Sequence, residues 1–268
     1  MSSATTYRPY WFKLSKYSIY WGYFQNYIKN LDFISLRASF LYALTGRLPK
    51  KDYVAKSDIG KFLIRKHSTD FQFINVAYER KVKKYIQDNL DNFDVFFDCG
   101  ACIGEYCIWL AGKNKRCIAF EPVNGSAIIS NIDLNPGAKQ TIKLFRCAVG
   151  DTVGDVYFNI PQTGVLGSSH LVQDSAKEPN ATINKIDNLA GSFDIKETDR
   201  ILMKFDVEGH EPAAFRGATE FIRGHKNISI IYEHFSLDDY RNDKALSEIA
   251  NFKFSDIDGV NRVAVKVD

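Results

Sequence analysis

No run of apolar residues in this 268-residue chain approaches the roughly 20 needed to cross a bilayer, and no cleavable leader pattern follows Met1. The expectation is a soluble or peripheral protein of the cytoplasm. Cysteine is absent from the first and last thirds: Cys99, Cys102, Cys107, Cys117 and Cys147 make up the whole set, an odd number. No second pair follows Cys99-x-x-Cys102 at zinc-like spacing, so no metal site is expected and the thiols read as reduced and buried. Lys and Arg are absent between Val95 and Lys113, which leaves nothing there to neutralise a pyrophosphate. Internal repeats and low-complexity tracts are missing as well.

What is present is the composition of a globular protein, 45% hydrophobic and 25% charged, on a chain long enough for one large α/β domain with an extension. The net charge of +3 hides an asymmetry. Residues 1–90 hold 16 Lys and Arg against 6 Asp and Glu, while residues 91–268 hold 19 against 26. A basic arm thus precedes a mildly acidic body.

The body is organised around Val95 to Gly104, Val-Phe-Phe-Asp-Cys-Gly-Ala-Cys-Ile-Gly. Its apolar start suits a strand buried on both faces, and Asp98, Gly100 and Gly104 follow where a parallel α/β sheet binds its ligand. Gly100 permits a turn closed to residues with a Cβ, and Ile103 to Leu110 continues as an apolar helix. The spacing Gly-x-x-x-Gly lacks the third glycine of a dinucleotide loop. Asp98 would repel phosphate and attract a sulfonium or ammonium group, so the charge pattern favours S-adenosylmethionine over NAD or ATP.

Residues 7–30 carry ten aromatics, and Tyr17, Trp21, Phe24 and Ile28 fall at helical spacing near Lys13, Lys16 and Lys29. A helix packed on the catalytic body or a second subunit fits this pattern, and so does a peripheral membrane contact through Tyr7 to Ile28. A second helix is predicted over Leu31 to Leu44, then a short strand over Lys61 to Arg65. Ser68, Thr69 or Asp70 would cap a helix running through Tyr78, Glu79, Val82 and Ile86. The predicted boundary lies at residue 60, with an N-terminal helical extension before it and the catalytic domain over 61–268.

Past the glycine loop, Arg116 to Phe120 reads as a strand closed by Glu121-Pro122. Glu121, 23 residues after Asp98, is placed to accept hydrogen bonds from a ribose diol. Ser126 to Asn135 is the next helix and Ile142 to Val149 the third strand, whose end, at Cys147, Ala148 and Val149, would wall an adenine. Val153 to Ile160 alternates as a strand. Pro161 to Asn180, with Ser168, Ser169 and His170, reads as a loop suited to cover a substrate. Arg200 to Phe205 is a buried strand ending in Asp206-Val207-Glu208-Gly209-His210-Glu211, and three carboxylates with an imidazole at a strand end point to chemistry. A helix over Ala213 to Arg223, a strand over Asn227 to Tyr232 tipped by Glu233-His234, and a hairpin around Asp258-Gly259 complete the chain.

Asp-x-Gly-Ala-x-x-Gly at Asp98, Gly100, Ala101 and Gly104, then Phe120-Glu121-Pro122, then Lys204-x-Asp206-Val207-Glu208-Gly209-x-Glu211 followed by Gly217-Ala218, resembles the FkbM-type methyltransferases over roughly residues 60–240. Cys99 and Cys102 depart from the Val and Asn common there. The resemblance implies a doubly wound Rossmann-like α/β sheet of seven strands, the last antiparallel. It also implies S-adenosylmethionine as methyl donor to a hydroxyl oxygen of a small molecule or glycan. By position, Asp98, Gly100, Ala101, Gly104, Glu121, Pro122 and Ala148 would bind the donor.

An alcohol must lose its proton, and Asp206, Glu208, His210 and Glu233 are the candidate bases, with Asp206 and His210 favoured. The acceptor expected is a saccharide or glycolipid made at the inner membrane face, with no nucleic acid partner and with homo-oligomer contacts open to the N-terminal extension. Two competing readings are an NAD(P)-dependent oxidoreductase and a membrane-docked, non-enzymatic scaffold that keeps the fold.

Overall fold

The computed structural model describes residues 14–161, 169–172, 177–234 and 239–267. They form two compact units, one from the described residues up to Arg80 with Pro161, the other from Lys81–Ile160 and the described residues after Gly167.

The first unit opens with a helical hairpin, α1 (Leu14–Lys29) and α2 (Phe33–Thr45). Asp32 caps α2 by accepting the Ser35 N–H at 3.0 Å, and Gly46, at φ 70°, ends it. The stripe read from the sequence is not the packed face of α1. Trp21 and Ile28 are 63% and 53% exposed, whereas Tyr23, Asn26 and Tyr27 are buried, and the Tyr27 hydroxyl donates to the Phe71 carbonyl at 2.5 Å. A hairpin of β1 (Tyr53–Ser57) and β2 (Gly60–Ile64) follows, with β1 missed in the sequence. Asp70, fully buried, accepts from Arg65 Nε at 2.7 Å and Nη2 at 2.9 Å.

The helix expected from residues 68–70 through Ile86 is broken. Only α3 (Asp70–Phe73) and α4 (Arg80–Asp88) are helical. Between them the Asn75 side chain donates to the Tyr23 carbonyl and accepts the Ala77 N–H, offering the backbone an alternative to the helical ladder.

The described residues of the second unit build a seven-stranded sheet. Its strands in chain order are β3 (Val95–Cys99), β4 (Arg116–Phe120), β5 (Ile142–Phe145), then, after four strands of a smaller sheet, β10 (Ile201–Phe205), β11 (Ile228–Glu233), β12 (Phe252–Asp256) and β13 (Asn261–Lys266). The spatial order is β12-β13-β11-β10-β3-β4-β5, and β13 runs antiparallel to both its neighbours. All five residues of β3 are buried, because it lies between parallel β10 and β4 with helices on both faces.

On one face Val95, Phe97 and Cys99 share a core with α8 (Glu211–Arg216), α9 (Thr219–Gly224) and α10 (Arg241–Ser247). Phe193 stands edge-on to Phe97, Phe120, Phe145 and Phe221 there, with ring centroids 5.3–5.9 Å apart. On the other face α5 (Glu105–Ala111) brings Tyr106 against Phe96 and Cys107 against Asp98. The helix α6 (Gly125–Leu134) and the short α7 (Ile186–Leu189) complete the unit.

The third strand stops early. Beyond Phe145 the chain leaves the main sheet, and β6 (Ala148–Val149) pairs in parallel with β9 (Ala181–Asn184) in a smaller sheet with β7 (Gly154–Asn159) and β8 (His170–Val172). The loop expected over 161–180 therefore contains one strand, β8, while Ser168 lies outside the described residues. The helix predicted over Ala213 to Arg223 is also split, at Gly217. A Cβ there would fall 1.8 Å from the Gly150 carbonyl oxygen, so two backbones meet where the helix would run on.

Candidate active site

The site grows from the carboxyl ends of β3, β4 and β10. Beyond β3 the N–H groups of Gly100 and Ala101 both donate to the Phe120 carbonyl at 3.0 Å, and the Asp206 N–H donates to the Cys99 carbonyl at 3.0 Å. These bonds press the glycine turn against the end of β10. Gly100 adopts φ 93°, and an added Cβ would lie 2.0 Å from the Asp206 carbonyl oxygen, so only glycine fits.

Glu121 anchors the turn. Its Oε1 accepts the N–H groups of Val123 and Asn124 at 2.8 Å, and its Oε2 accepts that of Cys102 at 2.9 Å. One buried carboxylate thus joins the glycine turn to the start of α6.

Gly100, Glu121, Pro122, Ala148, Asp206, Glu208 and His210 all line one cleft of about 550 Å³, open mouth included. That size suits a small-molecule ligand. Asn124, Phe158, Ser169 and Leu171 are also on its walls. No Lys or Arg lines it among the described residues. Glu233 lies outside the lining but brings its carboxylate within 4.8 Å of that of Asp206.

Asp98, Ala101 and Gly104 are not brought to the cleft. Gly104 caps α5 at φ 79°, Ala101 is buried, and Asp98 turns into the layer between β3 and α5, where Cys107 Sγ approaches it at 3.5 Å. Cys147 and Val149 belong to the core, and of the three only Ala148 and Val149 line the cleft.

The acidic motif after β10 divides its labour. Glu211 is buried, and its Oε1 accepts the N–H groups of Val207 at 3.1 Å and Gly209 at 3.3 Å, so it shapes the turn. Asp206 Oδ2 accepts from Lys204 Nζ at 2.7 Å, with the lysine side chain 4% exposed and the aspartate 25%. Burial, then Asp206 and Glu211, raise the Glu208 carboxyl above its usual range. Burial lowers the His210 imidazole, so the ring is neutral at physiological pH. Its Nε2 is enclosed beside Gly150 and has no hydrogen-bond partner among the described residues.

Behind Asp206 lies a cluster that the sequence reading missed. Lys83 and Lys204 place their ammonium groups 4.8 and 5.1 Å from the Tyr106 ring centroid, with Asp98 and Glu105 in the same buried layer. Burial, then the charge of Asp98, pushes Glu105 up to about 8. With Glu105 protonated the cluster balances, Lys83 and Lys204 against Asp98 and Asp206.

The signal available was a Lys inside the buried run Ile-Leu-Met-Lys-Phe and a Glu opening an apolar helix. An acid with a raised folded pKa costs nothing below its unfolded value near 4.5, and the cost grows until pH passes about 8. Melting temperature is therefore expected to fall across that window, and Glu105→Gln to flatten the fall and raise stability above pH 8. Parallel pH–melting curves for the two proteins provide the check.

No disulfide joins any of the five cysteines. Burial raises Cys99 and Cys107 and pushes Cys147 to about 11, which keeps these thiols protonated and inert.

Residues 98–258 match the model of the methyltransferase FkbM domain. The hexuronic acid methyltransferase AglP of Haloferax volcanii is 25% identical over 189 residues, covering 70% of this chain and 76% of that protein. Among solved structures, the tRNA (uracil-54, C5)-methyltransferase of Pyrococcus abyssi with S-adenosyl-L-homocysteine aligns at a TM-score of 0.42 and 14% identity. The alignment covers 81% of this chain and 44% of that one, so this chain spans less than half its length. Human N-acetylserotonin methyltransferase with SAM aligns at 0.31 and 11%, covering 74% and 56%.

Proposed function

The chain belongs to the methyltransferase FkbM domain family, and from that premise we propose that it transfers a methyl group from S-adenosylmethionine to a hydroxyl oxygen of a saccharide. The observation that supports this reading is the composition of the cleft: a bare glycine turn facing carboxylates and a neutral imidazole, with no cation among its described lining. Such a wall suits a cationic sulfonium and disfavours a diphosphate. Membership of this family also sets aside the oxidoreductase reading.

The residues present fit the donor. Gly100, packed on the Asp206 carbonyl, offers the cleft backbone alone, Glu121 and Pro122 line the side where a ribose would lie, and Ala148 would wall the adenine. When bound, S-adenosylmethionine supplies a methyl group on a sulfur that leaves as a neutral thioether, so alignment does most of the work. Asp206, held by Lys204, keeps negative charge facing the cleft. His210, uncharged and on the cleft wall, accepts the proton that the acceptor hydroxyl gives up.

The relative named for hexuronic acid favours a glycan acceptor. The basic aromatic front of the chain favours one carried on a lipid at the inner face of a membrane.

The test is transfer of labelled methyl to uronic-acid and neutral saccharides by wild type and His210→Ala. Transfer to a hydroxyl predicts a loss of about 100-fold or more in kcat for the variant, with KM for the donor unchanged. The acid limb of the wild-type rate should fall below pH 6.5, because the imidazole is lowered. Equal rates in both proteins would instead mean that a carboxylate oxygen, which needs no base, takes the methyl.

A further inference from the structure

We infer that the outer face of the α1–α2 hairpin docks on an anionic lipid surface. Trp21 and Ile28 stand seven residues apart on α1, as Phe33 and Phe40 do on α2, so each pair lies on one side of its helix. Leu31 and Ile34 join them at the turn. All six side chains are more than half exposed. Phe24 meets Phe40 with ring centroids 6.3 Å apart, which makes the two stripes one patch. Six large apolar side chains exposed within twenty residues exceed the scattered exposure of an ordinary surface. The face that packs inward is a different one, Tyr23, Asn26 and Tyr27 on α1 with Ser35 and Ser39 on α2.

Charge selects the occupant. Between Leu14 and Arg47 the sequence carries Lys16, Lys29, Arg37 and Arg47 against Asp32 alone, and Asp32 is held as the cap of α2. Lys29 pairs with Asp58, but Arg37 stands exposed between Phe33 and Phe40 on the helix. A second copy docked face to face would bring cation against cation. An anionic bilayer offers the opposite charge and an apolar layer of the depth these side chains reach. No helix among the described residues is long and apolar enough to cross a membrane, so the hairpin would lie on the surface.

This inference deepens the functional reading only in where the acceptor is met. It is tested without an acceptor, so the two can fail separately. Full-length protein is floated with phosphatidylcholine vesicles, with and without phosphatidylglycerol, alongside Trp21→Ser/Phe33→Ser/Phe40→Ser and Arg37→Glu/Arg47→Glu. Melting curves verify that the variants fold. The expected result is binding only to the anionic vesicles, weakened by salt, with a loss of at least ~10-fold in affinity in each variant.

Absence of wild-type flotation, equal binding to neutral vesicles, or undiminished binding by the serine variant would overturn it. So would a wild-type dimer that the serine substitutions split while vesicle binding stays nil, since the face would then pair with itself. Methyl transfer to a water-soluble acceptor, measured without vesicles, should be unchanged by the serine substitutions.

Discussion

Asp206→Asn is expected to lower methyl transfer at least ~100-fold while the sheet remains folded. The substitution keeps the shape of the side chain and removes its charge, leaving Lys204 Nζ, 2.7 Å away and nearly buried, without that neutralising partner. One unit charge at roughly 5 Å is worth about 3 kcal/mol at an effective dielectric near 20, which corresponds to about two orders of magnitude in binding or rate. The sign is unfavourable, because a cleft that faced a cationic donor with a carboxylate would now face it with an ammonium.

The double variant Lys204→Met/Asp206→Asn removes that ammonium as well. It should recover part of the donor affinity lost in the single variant, a non-additivity expected only of groups that act together. Donor KM and kcat for the three proteins provide the measurement. A single variant with wild-type kcat/KM would take Asp206 out of the site.

Gly100→Ala carries the second large effect. A Cβ at φ 93° is strained for any L side chain, and here it also meets the Asp206 carbonyl oxygen at 2.0 Å, a backbone atom with no rotamer to escape into. Strain of ~1–3 kcal/mol and overpacking of similar size together cost about 3 kcal/mol or more, a fall of roughly 6–12 °C in melting temperature for a unit of this size. Because the collision displaces the junction of the β3 turn and the β10 end, donor binding should vanish with it. Gly137→Ala is the matched control, since nothing lies within 4 Å of its added Cβ. It should leave both stability and binding unchanged.

The features legible in the sequence are those written in short stretches. Val95 to Cys99 reads as a doubly buried strand because every residue but one is apolar or aromatic, and the fold places it at the centre of a parallel sheet. The hairpin around Asp258-Gly259 follows from its turn residues and yields the antiparallel last strand. The features that were not legible depend on meetings between distant segments. Gly217 looks like one more residue of a helix until Gly150 is found against it.

Glu211 is indistinguishable in sequence from Glu208, yet one is buried holding two backbone N–H groups and the other lines the cleft. Trp21 and Tyr23 are neighbours of similar character, and only tertiary contacts decide that Tyr23 is buried and Trp21 is not. By sequence alone Asp98 is an acid at the end of a strand, where it would attract a cationic ligand. Its position opposite Lys204 in the register turns it to the inner layer, where it compensates charge.

A cleft whose described wall is acidic and carries no Lys or Arg should admit an adenosyl sulfonium and reject a dinucleotide diphosphate. Calorimetric titration of the full chain with S-adenosylmethionine and, separately, with NAD tests this most directly. The expected result is one-site binding of S-adenosylmethionine and no heat with NAD at the same concentration. Saturable NAD binding, or a silent titration with S-adenosylmethionine on folded protein, would contradict it.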